Sequence, residues 1–91
     1  MVNEGPLDRP FGRVPAKELD VRPILRAGGE PFAVIMDFVG RLEPDEGFRL
    51  WATFRPDPLI EVLAGRGYQA QAAEQADGSW AVDFWPGGDG S

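Results

Sequence analysis

The sequence contains no cysteine and no histidine. Without cysteine it has no disulfide, no thiolate nucleophile, no iron–sulfur ligand and no cysteine zinc site. Without histidine, the side chain that titrates near neutrality and the commonest metal ligand are both missing. The acid–base groups left are carboxylates, one tyrosine (Tyr68), one lysine (Lys17) and eight arginines, a poor toolkit for an enzyme. Positive charge is scarce as well: nine Lys and Arg against fifteen Asp and Glu leave a net charge of −6. Nucleic-acid binding depends on cations that neutralise many phosphates, so no nucleic-acid partner is expected. No apolar run approaches the ~20 residues of a membrane span. The opening residues, MVNEGP, lack the basic start and apolar stretch of a signal peptide. A cytoplasmic protein with no membrane partner is the resulting expectation.

What is present reads as one small domain. At 91 residues and 43% hydrophobic, the chain has enough apolar surface for a modest core, burying about 60–65% of its unfolded surface. Residues 1–16 carry Gly5, Pro6, Pro10, Gly12 and Pro15, too many breakers for a regular element. They are expected to form an irregular arm, which Leu7, Phe11 and Val14 allow to lie on the body. Residues 87–91 have nothing to bury and are expected to be a disordered tail.

Between these ends the apolar spacing predicts the elements. Residues 17–22 alternate, with Leu19 and Val21 on one side, and Pro23 ends the strand. A helix over 31–42 starts at Pro31 and buries Phe32, Ile35, Met36 and Val39, a stripe widened by Val34 and Phe38. Residues 43–47 turn, and 48–54 alternate with Phe48, Leu50, Ala52 and Phe54 inward. A second helix follows, with Asp57 as N-cap, Pro58 as first helical residue and Leu59, Val62 and Leu63 as its stripe. Gly65 or Gly67 stops it in the left-handed conformation. Strands over 68–74 and 79–85 flank Asp77-Gly78, a hairpin signal, with Trp80, Val82 and Phe84 in the core. The order β-α-β-α-β-β predicts an α+β two-layer sandwich, a four-stranded mixed sheet with two helices on one face. This domain spans 17–86.

The stretches ELDVRP (18–23), EPF at a helix start, LEPDEGFRLWATFRPDPL (42–59), RGY and DGSW together resemble the sulfur-carrier superfamily typified by TusA and SirA. Those proteins share the element order, a Leu-Asp-x-Arg strand and a Cys-Pro-x-Pro turn opening the first helix. Here Gly28-Gly29 stands where the family has Cys-Pro, with two extra residues in the loop. Sulfur transfer needs a thiolate, so the carrier activity does not come over. The resemblance is to a cysteine-free, uncharacterised branch, a domain of unknown function. It implies an accessory role in redox or sulfur metabolism only by association.

Four stretches are candidates for function. In ILRAGGEPF (24–32), outward N–H groups of Gly28 and Gly29, the following helix start and a fork from Arg22 or Arg26 would make an anion site. Alternatively the glycines only permit a turn, Glu30 complements the helix dipole and Pro31 sets the helix start. Trp51 and Trp85, with Arg49, Thr53 and Ala81, lie on the sheet face away from the helices. That face is a docking patch, a surface covered by the arm, or a homodimer contact. The acids Asp20, Glu30, Asp37, Glu43, Asp45 and Glu46 have no metal-site spacing, so no metal and no cofactor are expected. Arg55 beside the second helix start offers an anion site, or else the prolines and Asp57 only build that start.

The leading expectation is a non-enzymatic binding or accessory domain that docks a protein partner through residues 22–30 and the tryptophan face. The ligand- or partner-binding residues are then Arg22, Arg26, Gly28, Gly29, Glu30, Trp51 and Trp85, with none catalytic. A small-anion binder at the start of the first helix and a structural homodimer module are the alternatives.

Overall fold

The computed structural model describes residues 15–87. The expected arm, apart from residues 15 and 16, and the expected tail, apart from residue 87, lie outside the described residues. The elements are β1 (Lys17–Asp20), α1 (Arg22–Arg26), α2 (Phe32–Gly40), β2 (Phe48–Ala52), α3 (Asp57–Ala64), β3 (Tyr68–Glu74) and β4 (Trp80–Pro86). They build the expected α+β sandwich, with α1 as an addition. The sheet order is β1-β2-β4-β3. Strands β1 and β2 pair in parallel, and β4 runs antiparallel to both β2 and β3. Hence β2 and β3 point the same way, and the hairpin strand β4 fills the gap between them.

One face of the sheet carries the core. Phe48, Leu50, Ala52, Val82 and Phe84 alternate inward and meet Ile35 and Val39 of α2 and Leu59 and Leu63 of α3. Phe48 sits at the centre: it stacks on its cross-strand partner Phe84 at 5.0 Å and meets Phe38 at 5.4 Å and Tyr68 at 6.4 Å. Such ring pairs add about 0.5–1.5 kcal/mol each beyond their area. Among the described residues, no helix is long and apolar enough to cross a membrane.

Several expectations are corrected locally. Pro23 does not end a strand; it lies in the first turn of α1, where a missing N–H costs nothing. Asp20 ends β1 instead, its carboxylate accepting the Arg22 N–H at 3.0 Å. Helix α2 is shorter than 31–42, and Phe32 and Val34 are exposed (45% and 43%), so its covered stripe is narrower than expected. Strand β2 stops at Ala52, which turns Phe54 outward. Asp57 is the first helical residue of α3 and caps nothing; its carboxylate pairs with Arg55 at 2.7 Å, and Val62 is exposed. Gly67, at φ +93°, takes the left-handed conformation, whereas Gly65 stays right-handed. Trp80 is half-buried and outside the core cluster.

Candidate functional site

Where β1 and β2 end, next to the starts of α2 and α3, a cavity of about 250 Å³ opens. The outside of the carboxyl ends of parallel strands is the usual ligand crevice of open α/β sheets. Val21, Leu50 and Ala52, each no more than 1% exposed, lie at its bottom. Leu25 of α1, Ile35 of α2 and Leu59 of α3 line its sides. Pro31, Pro56 and Pro58 border it at the two helix starts. Phe32 and Phe54 complete the lining, and both expose about half of their surface (45% and 52%). Of all the lining residues, Glu30 alone has a polar side chain.

That carboxylate already has work: it accepts the N–H of Phe32 at 3.0 Å, satisfying a free donor at the start of α2. Asp57 places a second carboxylate in the first turn of α3. Both helix starts therefore carry acids from their own chain, and prolines remove further donors. An incoming anion would meet negative charge there rather than open N–H groups.

The glycine pair closes α1. Gly28, at φ +82°, donates its N–H to the Leu25 carbonyl at 3.0 Å, and Gly29 donates to the Ile24 carbonyl at 2.9 Å. These two bonds make a Schellman motif, which uses up the last carbonyls of a helix and demands a left-handed residue after the cap. The amides of Gly28 and Gly29 consequently point back into α1, not outward as the anion reading requires. Arg26 stands in the last turn of α1, the favourable end for a cation.

On the opposite face of the sheet, the strands line up their polar side chains in a row. The register sets Glu18, Arg49, Asp83 and Gln71 side by side across all four strands. Arg49 grips Asp83 with two bonds of 2.6 and 3.0 Å, and both side chains are largely covered. Trp51 lies in the next row. Its indole N–H donates to Glu18 at 2.8 Å, and the guanidinium groups of Arg22 and Arg49 sit 5.0 and 5.8 Å from its ring centre. Arg22 in turn forks onto Asp20 at 2.9 and 2.8 Å and reaches Ser79 at 3.4 Å. Arg22 holds the Asp20 carboxyl below its ordinary range.

Trp85 is buried (7% exposed), as is Ala81. The Trp85 ring fits against Gly47: a β-carbon there would collide with that ring and with the Phe84 carbonyl. The expected pair of exposed tryptophans is thus not a shared patch, because only Trp51 retains appreciable surface and it is enclosed by charge. Coverage of this face by the arm lies outside the described residues.

Two more of the scattered acids are engaged within the fold. Asp37 pairs with Arg41 at 3.1 Å, Glu46 with Lys17 at 2.8 Å, and Glu46 also accepts the Glu43 N–H at 3.1 Å. Among the described residues, no three acidic side chains converge as a metal site.

Of the residues singled out in the sequence, Gly29 and Glu30 line the cleft, while Arg22 and Trp51 meet on the opposite face. Sequence reasoning missed the apolar lining. Its signal was a proline at both helix starts beside Phe32 and Phe54. The family of uncharacterized conserved proteins DUF2249 matches residues 18–86. No curated protein and no solved structure matches the chain.

Proposed function

The chain belongs to the DUF2249 family, and from that premise we propose that it is a non-catalytic, cytoplasmic binding domain that docks a protein partner by an apolar side chain. One observation carries the reading: a cleft lined by apolar residues, with two half-exposed phenylalanines and one polar side chain already engaged. Catalytic and cofactor sites need several convergent polar groups. The cleft has none to spare. Its volume of about 250 Å³ also falls below the ~300–1,000 Å³ of ordinary small-molecule sites, yet it suits one bulky side chain of a partner. Aromatic and aliphatic anchors seated in such pockets supply most of the energy of many protein interfaces.

From the segment 22–30, Leu25, Gly29 and Glu30 line this cleft, which supports giving that segment a part in the docking surface. The resemblance to TusA and SirA supports placing the partner in redox or sulfur metabolism. The tryptophan face plays a smaller part, since Trp85 is buried and Trp51 is held by its neighbours.

Selection of random displayed peptides on the purified protein tests this. Selected peptides are expected to share one bulky apolar residue and to bind the Phe32→Ser/Phe54→Ser double variant at least tenfold more weakly. Both side chains are already half-exposed, so the variant should keep its fold, which its urea midpoint verifies. Failure to select any peptide, or equal binding to the variant, overturns the reading.

A further inference from the structure

The two edges of the sheet are built differently. Strand β1 has four residues, three of them charged (Lys17, Glu18 and Asp20), and charge on an edge discourages pairing with another chain. Strand β3 has seven residues, YQAQAAE, with no charge before Glu74, no proline and no lysine. It is the outer strand beyond β4, and among the described residues no other strand pairs with it.

The register shows which backbone groups of β3 are free. Gln75 donates to Ser79 at 2.7 Å and Gly87 to Gly67 at 2.6 Å, which places the bonded pairs at odd-numbered residues of this hairpin. In an antiparallel ladder bonded and non-bonded pairs alternate. Gln69, Gln71 and Ala73 therefore bond to β4, while Tyr68, Ala70, Ala72 and Glu74 turn their N–H and C=O groups to the open edge. Pro86, which has no N–H, sits opposite Tyr68 in one of the non-bonded pairs.

We propose that this edge pairs with β3 of a second copy of the chain, antiparallel about a two-fold axis at Gln71, joining two sheets into one. Self-complementarity points to a second copy. In this register Ala70 faces the partner's Ala72, Tyr68 faces the partner's Glu74 and Gln71 faces itself. All the outward groups are then bonded. No like charges oppose each other, and Arg66, just before the strand, lies diagonal to the partner's Glu74. A single strand pair is small beside the ~1,200–2,000 Å² of a standard stable interface, so the dimer is reversible and concentration-dependent. This contact is separate from the cleft, and either proposal can fail alone.

The test is sedimentation equilibrium of the full chain over a hundredfold concentration range, together with amide hydrogen exchange. A monomer–dimer equilibrium is expected, with protection at Ala70 and Ala72 rising as concentration rises, while Gln71 and Ala73 stay protected throughout. Gln71→Lys places two cations face to face and is expected to weaken the dimer at least tenfold without lowering the urea midpoint of the monomer. Arg66→Glu is expected to weaken it as well, and adding Glu74→Arg to restore it. A monomer at every concentration overturns the proposal, and so does a dimer in which Ala70 and Ala72 stay unprotected or Gln71→Lys has no effect.

Discussion

Arg49 and Asp83 show how a single pair of residues organises one face of the sheet. The two are direct cross-strand neighbours with side chains only 18% and 11% exposed, so each is the other's replacement for lost water. Removing one partner leaves a largely covered charge uncompensated, which costs more than the pair itself contributes. Asp83→Ala is expected to lower stability by roughly 2–4 kcal/mol, read from urea unfolding. The double change Arg49→Met/Asp83→Leu is expected to recover most of that loss; an equally unstable double variant would contradict this assignment. Carboxylates nearer the surface act through pH. Arg22 lowers Asp20, Lys17 lowers Glu46 and the Ser79 hydroxyl lowers Asp77, from ordinary values of 3.8, 4.5 and 3.8. A lowered acid stabilises the fold above its unfolded value, and that contribution disappears as pH falls through the folded one. With no histidine to titrate between them, stability should be level from about pH 5 to 7 and fall below about pH 4.5. Asp20→Asn should flatten that fall, as urea midpoints at several pH values would show. Burial raises Tyr68 above 10.0, so a second loss is expected as pH rises past that value.

At the scale of elements, glycine positions separate backbone demands from space. Gly28 has room for a β-carbon but stands at φ +82°, so Gly28→Ala should cost about 1–2 kcal/mol. Gly47 has an ordinary φ but no room beneath Trp85, and Gly47→Ala should cost about 1–3 kcal/mol or more. Gly40, at the end of α2 with open space around it, should gain about 0.5–1 kcal/mol as alanine. Thermal melts of the three variants distinguish these cases; a neutral Gly28→Ala would remove the Schellman assignment. Strand β2 was legible in the sequence because one of its faces is buried, so Phe48, Leu50 and Ala52 alternate, and Asp77-Gly78 marks the hairpin of β3 and β4 with Gly78 at φ +88°. Helix α1 was not. Five residues are too few to repeat the helical period, and Pro23 serves equally as a strand end and as a helix start. Extending the alternation also misplaced Phe54 and Trp80, since a period of two says nothing of where the covering helices stop.

For the whole molecule, the cleft was the least legible feature. Its lining comes from the ends of β1 and β2 and from three helices, residues separated by up to half the domain, and only the topology brings them together. What the sequence did expose was the absence of thiol and imidazole, together with carboxylates at the helix starts. The structure joins these to a pocket with almost no polar lining. The proposal that the cleft accepts an apolar side chain of a partner rests on that combination. The most direct measurement of that claim is a two-dimensional amide NMR titration of the labelled protein with a peptide selected on it. Saturable shifts concentrated at Leu25, Phe32, Ile35, Phe54 and Leu59 are the expected result. Shifts confined to the Trp51 face, or none at saturating peptide, would contradict it.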